Sequence, residues 1–263
     1  MKWHARKTED ILDRTTICDR VTFLDWATMS RILIIDDSAL ATELVADAVR
    51  VQLGHDVVTL SRVEELTAAY LEQHPVDVAV VDLSFADTDL SGLDVLMIVN
   101  RLSPQTKLVL FTQGDNFVAE LLRDAWDAFD LASVISKTAP VPVQLATIDR
   151  VAKNGVAPID PVLRLRLPSE RSPWRTLAGY ERLVQHAGHA KLWRALIRSE
   201  EEPSYRDLAD ATGLSLNTVR NYRDQLLNEL ALHGLENPTM REMQVFGKRC
   251  RPFLAPFIDA KLN

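Results

Sequence analysis

The sequence predicts an α/β fold in which a five-stranded parallel sheet with helices on both faces is followed by an all-helical domain. From Arg31 to about Gly155, short β-branched apolar runs alternate with longer amphipathic stretches, as in a doubly wound parallel sheet. From Trp174 onward, apolar residues recur at helical spacing and no segment is convincing as a strand. With 263 residues, 47% of them hydrophobic and 25% charged, the chain has room for about two domains.

Five strands are predicted in the first domain, and each is followed by a helical segment. The strands are RILIID at 31–36, DVVTL at 56–60, DVAVVD at 77–82, KLVLFT at 107–112 and LASVISK at 131–137. The helical segments lie at about 38–53, 63–73, 92–102, 116–126 and 141–153. Gly54 suits a C-terminal helix cap, His74 and Pro75 stop the second helix, and Pro140 suits the start of the fifth.

The remaining segments complete the predicted domain organisation. The first domain spans 29–155, a proline-rich linker spans 156–173, and the helical domain spans 174–263, with helices at 174–186, 190–199, 205–212, 216–233 and 239–253. Residues 1–28 form an N-terminal extension with two explanations. Either the start codon has been assigned upstream of a natural start at Met29, which we favour, or a helix packs on the outside.

Composition excludes several classes of protein. Cys18 and Cys250 lie near opposite ends of the chain without a CxxC pair, so they form neither a zinc site nor a disulfide framework. No apolar run approaches the roughly 20 residues of a membrane helix, and no apolar signal-peptide segment follows the charged start. We therefore expect a cytoplasmic protein without a membrane anchor.

Charge is distributed unevenly along the chain, whose net charge is -7. Residues 29–155 contain 9 Lys and Arg against 19 Asp and Glu, whereas residues 171–251 contain 13 against 10. The acidic half suggests a divalent cation site or a basic partner, and the mildly basic half suggests a polyanion.

Five polar groups stand at the carboxyl ends of four predicted strands. Asp36 and Asp37 end the first strand, Asp82 ends the third, Thr112 ends the fourth and Lys137 ends the fifth. In an open parallel sheet these ends converge on one edge, where ligands bind. Clustered carboxylates repel one another unless a hard dication neutralises them, so the pattern predicts a Mg²⁺ site.

A Mg²⁺ site beside a lysine suits a phosphoryl group. Mg²⁺ commonly shares its ligand shell with a phosphate oxygen, and an ammonium group can hold another. A carboxylate can itself be the nucleophile that forms an acyl phosphate, and Asp82 is best placed because it ends the central strand. The structural alternative is that Asp37 or Ser38 caps the first helix, while Thr112 and Lys137 have no chemical role. The joint placement of all five groups favours the site.

This arrangement resembles the receiver domain of two-component response regulators over residues 29–155. Asp82 follows Asp37 by 45 residues, Thr112 follows Asp82 by 30, and Lys137 follows after a further 25, which matches the family's order and approximate spacing. The resemblance implies a flavodoxin-like sheet in which a histidine kinase or phosphotransfer protein phosphorylates Asp82. It also implies that Mg²⁺ is held by Asp36, Asp37, Asp82 and the main chain of Ser84, that Lys137 contacts the phosphoryl group, and that Thr112 moves toward it as the switch.

Three features depart from the family pattern. The loop LSFADTDLSG after Asp82 reaches Gly92 two residues late and lacks the common proline. Thr138 follows Lys137 where many members have proline, and Val134 stands where the family usually has the aromatic residue that rotates with the threonine. These departures predict that coupling between Asp82 and the output surface runs differently or weakly.

The segment SYRDLADATGLSLNTVRNYRDQLLNEL predicts a helix-turn-helix in the second domain. Leu208 and Ala209 give the first helix an apolar face, Gly213 permits a tight turn, and Ser215 can cap the second helix. The exposed positions of the second helix carry groups that suit base edges and phosphates: Asn217, Thr218, Arg220, Asn221 and Arg223. Helix pairs joined through glycine also occur in proteins that never contact DNA, so the pattern alone leaves both interpretations open.

Residues 190–253 resemble the NarL/LuxR-type output domain, and the stretch TVRN at 218–221 is its most recognisable part. The resemblance implies that Val219 lies in the core, that the helix from Thr239 dimerises, and that the side chains facing double-stranded DNA are Asn217, Thr218, Arg220, Asn221, Arg223 and Gln225. The segment GHAKLWRALIRSEEEPSY departs from the usual opening of that domain. A region 4-like sigma-factor fold shares much of the same pattern.

Together these features predict a response regulator that is phosphorylated on Asp82, binds promoter DNA as a homodimer and is not an enzyme. One alternative keeps the fold but is not controlled by phosphorylation. A second alternative is a phosphotransferase or phosphatase with an aspartate nucleophile. Against it, the first strand lacks an Asp-x-Asp arrangement and the helical half supplies no obvious substrate cap.

Overall fold

The computed structural model describes residues 29–86, 88–116 and 118–263, and it contains all five predicted strands. They are β1 (Arg31–Ile35), β2 (Asp56–Leu60), β3 (Val78–Val81), β4 (Lys107–Thr112) and β5 (Leu131–Ser136). All pairs are parallel and the strand order is β2-β1-β3-β4-β5, so the predicted doubly wound sheet is confirmed. The extension predicted at 1–28 lies outside the described residues.

Helices cover both faces of the sheet because successive strand residues point to opposite sides. On β1, Ile32 and Ile34 share a core with α1 (Ala39–Ala48) and α5 (Val141–Asn154). Leu33 and Ile35 share the opposite core with α2 (Ala68–Gln73), α3 (Gly92–Leu102) and α4 (Ala119–Ala128). The carboxyl ends of the strands are left open between the two layers.

Two helices of this domain differ from the prediction. The helix predicted at 38–53 is α-helical only to Ala48 and ends in a π-helical turn, Val49–Leu53, which Gly54 closes at a φ of 71°. The helix predicted at 63–73 is a 3₁₀ turn, Val63–Glu65, followed by α2. The interruption follows from Thr67, whose hydroxyl accepts the N–H of Tyr70 and so caps a new helix.

The C-terminal region is helical, as predicted. Its helices are α6 (Pro161–Arg164), α7 (Leu177–Glu181), α8 (Ala187–Arg198), α9 (Tyr205–Thr212), α10 (Leu216–Leu232), α11 (Met240–Arg249) and α12 (Arg251–Leu262). α8 lies at the centre and packs against α9, α10, α11 and α12. Its Trp193 is fully buried and donates its indole N–H to the carbonyl of Leu183 over 2.7 Å. None of the described helices is long and apolar enough to span a bilayer.

Two predicted C-terminal helices are wrong in extent. The helix predicted at 174–186 is helical only over α7, which Thr176 caps at its start, and His186 then caps α8 by accepting two backbone N–H groups. The helix predicted at 239–253 ends at Arg249, and a second helix continues to Leu262. Pro252 lacks the N–H that a helix interior requires but fits the first turn of α12.

The segment predicted as a linker is packed against the sheet. The N–H groups of Ala157 and Asp160 donate to the carbonyls of Ala132 and Val134 on β5 over 3.0 and 2.8 Å. This main chain therefore covers the outer edge of β5. Leu163 on α6 is buried and reaches the loop that follows β4.

The helical region is docked on the side of the sheet that carries α3 and α4. Phe129, directly after α4, contacts Phe253 of α12, with ring centroids 5.7 Å apart. Beside them Arg249 donates from Nε to Oδ2 of Asp124 on α4 over 2.7 Å, and the Asp124 side chain is only 1% exposed. The two regions thus share one continuous core with a buried ion pair inside it.

Candidate functional site

Three carboxylates lie together at the carboxyl edge of the sheet. Asp36 and Asp37 follow β1, and Asp82 follows β3, which is the neighbour of β1 in the sheet. One oxygen from each carboxylate lies within 4.8 Å of the other two. Asp36 and Asp82 are buried, whereas Asp37 is exposed at the rim.

Lys137, directly after β5, places its ammonium between two of these carboxylates. Its Nζ lies 2.6 Å from Oδ2 of Asp36 and 2.9 Å from Oδ2 of Asp82. Burial lowers the pKa of Lys137, but hydrogen bonds and charges from Asp36 and Asp82 outweigh burial and raise it above the usual value. The lysine is therefore fully charged at neutral pH.

Burial raises the pKa of Asp82 to about 6, even though Lys137 opposes the shift by hydrogen bonding and charge. The negative charge of Asp36 adds to the rise, and the N–H of Leu83, which donates to Oδ1 over 2.8 Å, opposes it. The buried Asp82 carboxylate is therefore already partly desolvated in the absence of a ligand.

The other two carboxylates are oriented by backbone N–H groups. Asp36 accepts the N–H of Ser38 through Oδ1 over 2.9 Å, and Asp37 accepts the N–H of Ala86 in the loop after β3. Ser38 stands at the start of α1 but makes no side-chain capping hydrogen bond. The structural alternative, in which Asp37 or Ser38 serves to cap α1, thus finds no support in these contacts.

The start of α3 is pressed against the backbone of Asp82. A Cβ built on Gly92 would lie 2.1 Å from the Asp82 carbonyl oxygen, so only glycine fits at this position. The same helix is capped by Asp94, whose Oδ2 accepts the N–H of Ser91 over 2.8 Å. The other oxygen of Asp94 accepts a hydrogen bond from Arg251 of α12 over 2.7 Å. The loop after Asp82 therefore ends at a helix that contacts the C-terminal region.

Thr112 ends β4 beside the carboxylates and is only 1% exposed. Its Oγ1 accepts the N–H of Gly114 over 3.2 Å. Leu163 of α6 occupies the space beside Gly114, since a Cβ there would lie 2.1 Å from Leu163 Cδ2. Val134, on the neighbouring strand β5, is fully buried.

The second candidate site is formed by α9, α10 and the turn between them. Gly213 takes a φ of 68°, and the hydroxyl of Ser215 accepts the N–H of Thr218 over 3.1 Å to cap α10. Asn217, Arg220 and Asn221 are exposed on α10. α9 and α10 are thus two helices joined by the short turn 213–215.

The other residues predicted to face DNA are held by internal contacts. Arg223 donates to the carbonyl of Pro238 over 2.9 Å and to Oδ1 of Asn237 over 3.0 Å, and its side chain is 17% exposed. Oε1 of Gln225 lies 3.1 Å from Nε2 of His189. Thr218 is half-buried, and Val219 is fully buried, in agreement with the core position expected for it.

The comparisons with known proteins fit the geometry of the first site. Residues 32–140 match the family described as the response regulator receiver domain. This match covers β1 to β5 and includes Asp36, Asp82, Thr112 and Lys137. These residues form a receiver domain.

Similar proteins are named as regulators. The "Methanol utilization control regulatory protein MoxX" of Paracoccus denitrificans is 25% identical over 222 residues, which is 82% of this chain and 92% of that protein. A LuxR-family response regulator from Aurantimonas sp. SI85-9A1 is 16% identical, covers 52% of this chain and 94% of its own, and has a TM-score of 0.45. The RcsB response regulator of Salmonella typhimurium is 14% identical, covers 83% and 98%, and has a TM-score of 0.44.

The acidic pocket of the receiver domain fits a magnesium ion. Its three carboxylates offer the hard oxygen ligands that Mg²⁺ prefers. Lys137 contacts two of them, Asp36 and Asp82, and its single positive charge offsets only part of their mutual repulsion. When bound, Mg²⁺ supplies positive charge for phosphate oxygens at this edge. Ser84 follows in the same loop, half-buried.

One polar residue of the receiver domain was missed by the sequence analysis. Gln144, in the first turns of α5, is only 3% exposed and contacts the loop that carries Lys137. A signal was available, because Gln144 lies four residues before the buried Ile148, on the apolar stripe of the helix. A polar side chain on such a stripe indicates a specific internal hydrogen bond.

Proposed function

We propose that the chain is a response regulator whose Asp82 accepts a phosphoryl group from a histidine kinase or phosphotransfer protein. The observation that carries the proposal is the position of Asp82, buried at the end of a central strand and within hydrogen-bond distance of Lys137. Asp36, Asp37 and Asp82, with the main chain of Ser84, are the proposed ligands of Mg²⁺.

The proposed step forms one bond and breaks one bond. An Asp82 carboxylate oxygen attacks phosphorus, and the bond from phosphorus to the donor breaks, so that an acyl phosphate is left on the protein. Lys137 holds one phosphoryl oxygen through its charge, and Thr112 moves toward another as the switch. The donor leaves with the bonding electron pair.

The proposed signal reaches the C-terminal region through α3. The loop after Asp82 ends at Ser91, and Asp94 caps the helix while also binding Arg251 of α12. A shift of this loop on phosphorylation changes the contact between α3 and α12. This route does not need the aromatic partner that Val134 replaces.

We further propose that the helix-turn-helix binds promoter DNA and that two copies bind together. Asn217, Arg220 and Asn221 are exposed at the start of α10, where they can reach base edges and phosphates. The Arg220 guanidinium lies over the ring of Tyr205, 5.5 Å from its centroid. Arg223 supports the fold of this surface through the contacts described above and reaches DNA only if those contacts open. Gln225 is exposed, and its amide nitrogen can reach DNA while Oε1 contacts His189.

Intact-mass spectrometry after incubation with acetyl phosphate and Mg²⁺ tests the first step. The parent protein should gain about 80 Da, the mass of one phosphoryl group. The variant Asp82→Ala should gain nothing, and neither should the parent when Mg²⁺ is chelated. Equal addition to both proteins would place the modification elsewhere. Addition to neither, with acetyl phosphate and with purified kinase domains, would favour a receiver domain that is not controlled by phosphorylation.

Arg220→Ala should weaken binding to a short DNA duplex of arbitrary sequence and reduce the slope of log affinity against log salt by about 1. The reason is that an exposed arginine at the start of α10 contacts a phosphate and releases a counterion. Fluorescence anisotropy at several salt concentrations measures both quantities. The matched control is Arg241→Ala, which removes an arginine that is 72% exposed on α11 and should leave the slope unchanged. Equal slopes for both variants would exclude the assigned DNA surface.

A further inference from the structure

Gln144 joins α5 to the loop that carries Lys137. Its side-chain nitrogen, Nε2, lies 2.8 Å from the carbonyl oxygen of Ala139, 3.2 Å from that of Lys137 and 3.4 Å from that of Ser136. A primary amide has two N–H donors, so at least one of them is shared between two of these three neighbouring carbonyls. The side chain is almost completely buried, and these contacts are its hydrogen bonds to the main chain.

The loop also has hydrogen bonds of its own. The N–H of Lys137 donates to the Thr112 carbonyl over 2.9 Å, which fixes the end of β5 against β4. Beyond that point the N–H of Thr138 donates to the Ser136 hydroxyl over 3.2 Å, and the N–H of Ala139 donates to the Ser136 carbonyl over 3.1 Å. The hydroxyls of Ser136 and Thr138 contact each other over 2.8 Å. The last three of these bonds lie within the turn, whereas the amide of Gln144 ties the turn to α5.

We propose that Gln144 is a positioning residue that holds this loop so that the Lys137 ammonium stays between Asp36 and Asp82. The inference rests on the proposed phosphorylation of Asp82. Gln144 does not touch the reacting atoms and acts through the main chain of Lys137. Its substitution should therefore lower the rate of phosphoryl transfer without disturbing the carboxylates, which are carried by β1 and β3.

The test uses Gln144→Met, which keeps the length of the side chain and removes both donors. The chain offers a matched control in Gln244 on α11, which is 6% exposed and donates from Nε2 to the carbonyls of Ser199 and Glu201, each over 2.8 Å. Gln244→Met makes the same chemical change at a loop of the C-terminal region. Any general effect of losing a buried glutamine should appear in both variants.

Three quantities are measured on the full chain. In Gln144→Met, acetyl phosphate should phosphorylate Asp82 about tenfold more slowly than in the parent, since the displaced Lys137 ammonium loses its alignment with the phosphoryl oxygens. The variant's affinity for Mg²⁺ alone should be unchanged or slightly higher. Acylation of Lys137 by a small amine-reactive ester, followed by peptide mass spectrometry, should become several-fold faster, with the exposed Lys107 as internal reference. Gln244→Met should match the parent in all three.

The outcomes separate this inference from the proposed function. If the parent is not phosphorylated, the proposed function fails, and the reactivity of Lys137 still decides whether Gln144 positions the lysine. Unchanged reactivity and an unchanged phosphorylation rate in Gln144→Met would overturn the inference. A parallel loss of Mg²⁺ affinity, or the same changes in Gln244→Met, would also overturn it, because either result indicates general loosening.

Discussion

Replacing Asp82 by asparagine should stabilise the protein without Mg²⁺ at pH 7.5 by about 3 kcal/mol, although it removes the proposed phosphorylation site. Burial raises the pKa of Asp82 from 3.8 to about 6 in the folded protein. Between these values the folded state binds more protons than the unfolded state, so the free energy of unfolding falls as pH rises through this interval. Asparagine resembles the protonated acid and avoids this loss.

Urea unfolding in the presence of a chelator measures this effect. The difference between Asp82→Asn and the parent should shrink to about 1 kcal/mol at pH 4.5, where the folded carboxyl is mostly protonated. Asp89→Asn, in the exposed part of the same loop, should change stability little at either pH. A destabilised Asp82→Asn at pH 7.5 would mean that the pocket favours the ionised carboxylate, contrary to the effect of burial.

Arg249→Met should destabilise the docked arrangement of the two domains by about 3–5 kcal/mol. Asp124 is almost fully buried, and burial raises the pKa of its carboxyl although Arg249 and Arg175 oppose the rise. Without Arg249 the nearest remaining cation is Arg175, whose Nη1 lies 4.0 Å away with no hydrogen bond. The buried carboxylate would then keep the Cys250 thiol, which donates to Oδ2 over 3.8 Å, but no cation within hydrogen-bond distance.

A double variant distinguishes the buried charge from the loss of packing. Asp124→Asn combined with Arg249→Met should recover most of the stability, because burying two neutral side chains costs less free energy than burying an unpaired carboxylate. The matched control is Arg194→Met, which breaks a pair with Asp259 whose side chains are 37% and 63% exposed, and should cost at most about 1 kcal/mol. Urea unfolding and proteolysis of the segment between α6 and α7 report stability and docking. A double variant as unstable as Arg249→Met would refute the role of the charge.

The sheet and the acidic pocket could be predicted because their signals are local. Each strand is a short apolar run between turns, and parallel topology then places Asp36, Asp82 and Lys137 at the same edge without further information. The same logic located the turn between α9 and α10 from Gly213 and Ser215. Periodicity and caps lie within a few residues of the features that they determine.

The features that were missed depend on residues far apart in the chain. Asp124 and Arg249 are 125 residues apart, and neither sequence neighbourhood indicates that they meet. Arg223 is a residue type that often contacts DNA, but its contacts in the structure depend on the position of the loop that carries Asn237. The break at Cys250 was detectable in principle, since Pro252 fits a first turn better than a helix interior.

The main chain that covers β5 also decides where the receiver domain can be cut. Residues 157–160 occupy the hydrogen-bonding edge of that strand, and Pro158 and Pro161 offer no N–H groups to a further strand. A fragment that ends at Gly155 would expose this edge and leave the carbonyls of Ala132 and Val134 unpaired and accessible to neighbouring molecules. A fragment that extends past Leu167 keeps the edge protected, so the folded unit is longer than the sheet and its five helices.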